Sequence, residues 1–326
     1  MKAYSDHELT CVCLDANSEA QSSEGQSKAV SALERDGVVV LRGLYDSDFM
    51  EQLVQRFAVY FARPSVSGAV GYAQLSHAKT ATSAFTLGGP IVKMMIQHQL
   101  IEIIESYMAS KCVLAEATAK HDRGVGYTYF PMHADFSAGW KKSPTATFEL
   151  TAEEMKKPVG VGVALYLHDT TEGAFCYSVG SHKLEAKEGV RLARYPADLQ
   201  QQITSNIVRC DGRRGDLVVF DDRGFHGPDQ PSKTDRSVIL LDYYREDTFG
   251  HTVVTPHPIW SSDLAGLTLE EMHTLGVGAS YMVPPENHVK TRYSKNIFYN
   301  LITRMIKMSY FHTHLKYKIK EIIGNN

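Results

Sequence analysis

His133 and Asp135 stand two residues apart, and much later in the chain His226 is followed after ten residues by Arg236. Two imidazoles, a carboxylate and a guanidinium are what a redox-active iron and a dicarboxylate co-substrate need. Two histidines and a carboxylate can occupy one face of an Fe(II) ion and leave three positions open. A guanidinium can hold a distal carboxylate through two parallel hydrogen bonds. The set therefore predicts a mononuclear iron oxygenase using Fe(II), 2-oxoglutarate and O2, with His133, Asp135 and His226 as metal ligands and Arg236 as the co-substrate anchor.

Each residue taken alone reads more plainly. A lone His-X-Asp is common by chance, His226 could be a loop histidine, and Arg236 a surface arginine. Their context raises them together. At the end of an extended segment, His133 and Asp135 leave the same face. Asp216 to Phe220 reads as a strand leading through a turn at Asp222–Gly224 to His226, whose neighbour Gly227 permits close backbone approach. Arg236 opens the apolar run Ser237-Val238-Ile239-Leu240-Leu241, where an inward guanidinium needs an anionic partner. Asp221 and Asp222 compete as ligands but fit better as shapers of the turn. His168 and His182 fall in expected turns and read as structural. His312 and His314 do not face each other on a helix.

The elements that must position these groups follow from periodicity. Residues 1–27 are polar and read as a flexible arm. Ala29–Arg35 is expected as a short helix, Val38–Leu41 as a strand, Asp46–Phe61 as a helix capped by Asp46 or Ser47, and Ile91–Met108 as one apolar helix. Residues 64–85, rich in Ser, Gly, Ala and Thr, read as a lid or substrate-facing loop. In Cys112–Lys120, Glu116, Thr118 and Lys120 share one face and small residues the other, which suits the wall of a polar cavity. Thr118 and Lys120 are thus candidates for co-substrate binding. Tyr127–Met132, Val159–Leu167, Ala174–Val179, Ile207–Arg209, Asp216–Phe220 and Ser237–Tyr244 complete a series of short strands between Gly, Asp and Pro turns. That pattern predicts a mainly β fold with flanking helices, a jelly roll or double-stranded β-helix of the cupin-like kind, over residues 28–250. Residues 251–326 form a C-terminal extension, with a short helix at Leu267–Leu275 and a long amphipathic helix at Asn296–Ile323 packed on the domain.

Composition bounds the alternatives. The 326 residues are 43% hydrophobic and 22% charged, with a formal charge of -3, so net charge gives no reason to expect a nucleic-acid partner. Cysteines at positions 11, 13, 112, 176 and 210 lack a disulfide or zinc spacing and read as free thiols in a reducing, cytoplasmic setting. No membrane span or signal peptide is expected. A small-molecule substrate and a monomer or homodimer fit best.

The succession His133-Ala134-Asp135-Phe136, the turn Thr171-Glu172-Gly173-Ala174 before Gly180-Ser181-His182-Lys183, and Gly215-Asp216-Leu217 through His226 to Arg236 resemble the phytanoyl-CoA dioxygenase family, as does Asp36 to Gly43. The resemblance covers about residues 28–245. It implies a double-stranded β-helix with iron on His133, Asp135 and His226 and 2-oxoglutarate on Arg236. It also implies that Trp140, five residues past the acid, lines the co-substrate pocket, as a similarly placed aromatic does in ectoine hydroxylase. Succinate and carbon dioxide would be released as a substrate C–H bond is oxidised. Asp135 stands where related halogenases have a small residue, which argues against halogenation. Desaturation, epoxidation and oxidative cyclisation stay open beside hydroxylation. Tyr129, Phe136, Tyr166 and Tyr177 are candidate substrate-wall residues. A non-redox cupin-type metal protein would share the histidines but not need Arg236, and an idle interaction module would not need the ligands.

Overall fold

Strands too short to bury both faces alone pair here into two main sheets, beside a two-stranded one at Thr252–Val253 and Ser280–Tyr281. The structure, a computed structural model, describes residues 4–14, 19–63, 72–81, 83–140, 149–184, 191–254 and 257–282. The larger sheet is built from β1 (Cys11–Cys13), β2 (Val38–Arg42), β3 (Tyr72–Gln74), β4 (Ala78–Ala81), β5 (Cys112–Asp122), β6 (Gly160–Tyr166), β9 (Leu217–Asp221) and β11 (Arg236–Arg245), in the order β1-β2-β9-β6-β11-β5-β4-β3. The smaller sheet runs β10-β7-β8, with β7 at Thr170–Ser178, β8 at Ile207–Gly212 and β10 at His226–Pro228. Ala164, Tyr166, Val218, Phe220 and Val238 of the larger sheet pack against Ala174, Phe175, Tyr177, Val208 and Cys210 of the smaller one. The architecture is the expected jelly roll, mainly β with flanking helices.

Four helices cover the outer face of the larger sheet: α1 (Glu19–Asp36), α2 (Ser47–Ala62), α3 (Pro90–Met95) and α4 (His98–Met108). Their apolar stripes, including Leu33, Leu53, Phe57, Ile91, Leu100 and Ile104, meet Val39, Leu41, Val163, Val219 and Ile239 in one core. Asp46 caps α2 by accepting from the Phe49 amide. The single helix expected at Ile91–Met108 is two: the chain breaks at Ile96–Gln97, and the Gln97 side chain caps α4 by accepting from the Leu100 amide. Because both halves are apolar, periodicity could not reveal the break.

The flexible arm expected over residues 1–27 needs correction. Cys11–Cys13 pairs parallel with Val40–Arg42 as an edge strand, and exposed Cys11 and Cys13 alternate with buried Val12 and Leu14. Helix α1 begins at Glu19 rather than Ala29. Its docking residues, Ala29, Ala32 and Leu33, lie downstream of the polar stretch, so composition hid the helix they anchor. Within residues 64–85 the described part forms the β3–β4 hairpin and a 3-10 turn at Ala84–Leu87, not an open loop; the rest of that stretch lies outside the described residues. The expected short helix appears at Leu269–Thr274 with a capping box between Thr268 and Glu271. The expected helix Asn296–Ile323 lies outside the described residues. All five cysteines are free thiols, and no described helix is long and apolar enough to cross a membrane.

Candidate active site

His133 lies alongside β10 of the smaller sheet, joined to His226 as an antiparallel backbone pair. Each amide donates to the other's carbonyl, at 2.9 Å from His133 and 2.7 Å from His226. The segment before His133 is not the extended strand expected at Tyr127–Met132. It is held by Gln230, whose Oε1 accepts from the amides of Tyr129 and Phe130. Asp135 is fixed by its amide, which donates to the Asp222 carbonyl at 2.9 Å.

The side chains then converge. Nε2 of His133 lies 3.5 Å from one Asp135 oxygen and Nε2 of His226 3.3 Å from the other. The three ligand atoms fall within 4.8 Å of one another. Nδ1 of His133 is 3.1 Å from the Pro131 carbonyl and Nδ1 of His226 is 3.0 Å from that of Gly224. A carbonyl only accepts, so both Nδ1 atoms carry the proton and both Nε2 lone pairs point to the centre. Burial pushes the His133 imidazole down to about 4, with His226 adding to the shift. A neutral imidazole is the form that ligates a metal. Phe175 and Phe220 flank His226, at 5.5 and 4.6 Å between ring centres.

These groups line a cavity of about 280 Å³ together with Thr80, Thr118, Lys120, Leu240, Asp242 and Arg236. Its basic end is a buried trio. Nε and Nη2 of Arg236 donate to one Asp122 oxygen at 3.2 and 2.6 Å, and Lys120 Nζ lies 3.0 Å from the other. Burial alone would raise the Asp122 carboxyl, but Arg236 and Lys120 together outweigh it and hold it below the usual carboxylate range. Burial lowers Lys120 against the pull of Asp122. Nη1 of Arg236 is buried and meets no hydrogen-bond partner. Such a donor is costly unless an anion reaches it. A 2-oxoglutarate carboxylate fits this corner, and the donor set of two imidazoles and a carboxylate fits ferrous iron. Arg236 thus carries an internal carboxylate partner that its place in the sequence did not reveal.

Several expected site residues sit elsewhere. Trp140 packs edge-on against Phe136 at 4.9 Å in a separate cluster with Phe249, outside the cavity lining. Its direction is set by the turn after Asp135, where the Trp140 amide donates to the Ser137 carbonyl. Phe136 is fully buried in that cluster. Tyr166 lies in the core between the sheets, its Oη donating to the Cys210 carbonyl and accepting from the Phe175 amide. Tyr177 is also core, donating to the Asp221 carbonyl. None of these three lines the cavity. Tyr129 stays near the basic corner, its ring tilted against that of His77 at 4.1 Å between centres. Asp221 shapes its turn by accepting from the Arg223 amide, and His168 accepts from the Ser237 amide.

Sequence reasoning missed Phe175, Phe220, Leu240 and Asp242 in the cavity lining, and gave Asp222 only a part in the turn. For Leu240 and Asp242 the signal was present, because period-two counting from Arg236 places both on its face of β11. A second cavity of about 610 Å³ shares Phe130 and Pro228 with the first.

A jelly roll with a two-histidine, one-carboxylate centre and a buried arginine defines a class, the non-haem iron oxygenases. A family model described as phytanoyl-CoA dioxygenase (PhyH) matches residues 33–237, and the chain belongs to that family. It is therefore an oxygenase dependent on Fe(II) and 2-oxoglutarate. Among solved structures, EctD from S. alaskensis with bound Fe is similar at 14% identity and a TM-score of 0.53, over 79% of this chain and 83% of that one. The epimerase SnoN in complex with Fe3+, alpha ketoglutarate and nogalamycin RO is similar at 14% identity and a TM-score of 0.52, over 68% and 84%. AviO1 from Streptomyces viridochromogenes Tue57 is similar at 15% identity and a TM-score of 0.51, over 72% and 98%. At such identities the likeness concerns the fold. No curated protein matches the chain at the level of sequence.

Proposed function

We propose that His133, Asp135 and His226 hold the iron, that Arg236 with Lys120 takes the distal carboxylate of 2-oxoglutarate, and that the enzyme hydroxylates an unactivated C–H bond of a small molecule in specialised metabolism. The observation that carries this reading is the pairing, in one cavity, of three convergent ligand atoms with a buried guanidinium nitrogen that lacks a partner. When bound, iron with 2-oxoglutarate and O2 supplies the oxidising power for C–H attack, with one oxygen going to succinate and the other to the alcohol as carbon dioxide leaves.

The chain's own residues do the rest. Pro131 and Gly224 hold the imidazoles by their Nδ1 protons, and Asp122 fixes the plane of the Arg236 guanidinium so that Nη1 points to the incoming carboxylate. Phe175 and Phe220 keep water from one side of His226. The free thiols support a reducing, cytoplasmic setting. The test is turnover under labelled dioxygen with a small-molecule panel. A product heavier by one labelled oxygen, formed with succinate, supports hydroxylation. A product lighter by two hydrogens would instead mark desaturation or ring closure.

A further inference from the structure

The end of the cavity away from Arg236 is acidic. Asp242 lies on the same face of β11 as Arg236, six residues on, a separation of roughly 20 Å along a strand. Asp242 lines the cavity, and Asp135, Asp222 and Asp242 each bring a carboxylate oxygen within 4.8 Å of the others. Across the sheet Asp242 stands opposite Glu116 on β5 and Gly162 on β6.

Asp222 is the second, separate observation. It is fully buried, and no side chain donates to either carboxylate oxygen. It is also deliberately housed. A Cβ on Gly160 or Gly162 would each stand 2.6 Å from one of its oxygens, so β6 carries glycine at both positions where the carboxylate lies over it. A buried carboxyl without a side-chain partner is costly, and an apolar side chain would fill this space more cheaply. Among the described residues, the lysine and arginine lining the cavity are Lys120 and Arg236, both at the other end. Phe220 and Leu240 line the same cavity as Asp242, so the wall suits a cation carried on a carbon skeleton better than a hydrated ion.

We propose that the primary substrate carries a cationic nitrogen, an alkylammonium or guanidinium, that seats on Asp242 with Asp222 behind it, opposite the end that takes 2-oxoglutarate. The inference rests on the iron and 2-oxoglutarate reading of this cavity. The polarity also discriminates: a second carboxylate compound is repelled from the substrate end and drawn to the Arg236 end.

The test uses the full chain loaded anaerobically with Fe(II) and 2-oxoglutarate, following the weak visible charge-transfer band. Hexylamine and agmatine are the cationic probes, and hexanol and hexanoate their neutral and anionic counterparts. The cations are expected to shift the band saturably, with an apparent Kd at least tenfold below either counterpart. Asp242→Asn is expected to erase that preference and Asp242→Glu to keep it, with melting temperature reporting the fold of each variant. Equal response to neutral and cationic probes, no response to any cation, or a preference surviving in Asp242→Asn overturns the proposal. So does a second equivalent of Fe(II) or Mg(II) bound in competition with the amines, which would make the acidic pair an inorganic ion site. Absence of the band before any probe is added would instead sink the underlying iron reading.

Discussion

Arg236 pairs with Asp122, and in the proposed function it also takes 2-oxoglutarate; its removal separates the two. Arg236→Ala is expected to weaken 2-oxoglutarate binding by at least ~30-fold, the loss of a charge-assisted pair. It also strips Asp122 of its guanidinium. Breaking a buried pair costs about 3–5 kcal/mol, and the low end applies because Lys120 remains 3.0 Å from Asp122. Equilibrium denaturation and a 2-oxoglutarate titration read the two losses independently, and Asp122→Asn should keep more binding than Arg236→Ala. Convergence of His133, Asp135 and His226 was legible because the short His-X-Asp spacing and the strand-turn approach to His226 constrain direction. The direction of Trp140 was not, since it depends on a turn. Tyr166 and Tyr177 were misplaced for another reason. Every residue of β6 is buried, as is every residue of β7 from Gly173 on, so neither face of either strand stands out in the sequence as the cavity side.

Among the elements, the turn from β9 to β10 does the finest positioning. A Cβ on Gly224 would stand 1.8 Å from Oη and 2.4 Å from Cζ of buried Tyr177. The ring cannot retreat through the core, so Gly224→Ala must move the backbone whose carbonyl orients His226. The expected cost is about 1–3 kcal/mol of stability, with metal affinity down by about 10–100-fold. Denaturant midpoint and anaerobic Fe(II) titration check it; unchanged iron affinity would mean that the carbonyl does not orient the ligand. The strands were legible from alternation and turn residues. The break between α3 and α4 and the early start of α1 were not, because one is set by a capping glutamine inside an apolar run and the other by docking residues further along.

For the whole molecule, β1 joins the stability account. Removing residues 1–14 strips Val12 and Leu14 from the core, each worth about 1.5–3 kcal/mol when buried, so a clear fall in melting temperature is expected. Acidification should act globally as well. Burial lowers His182 and His257 below the ordinary histidine value, so both are neutral in the fold. The unfolded chain takes up their protons as pH falls through about 6.5, and stability should drop from there downward. Urea midpoints at pH 7.5 and 5.5 test the sign. The measurement closest to the central claim is anaerobic titration of the apoprotein with Fe(II) and then 2-oxoglutarate. The weak visible charge-transfer band of the chelate is expected with the wild type, lost in Asp135→Ala and weakened in Arg236→Ala. Iron bound without the band, or a band indifferent to both substitutions, would contradict the account.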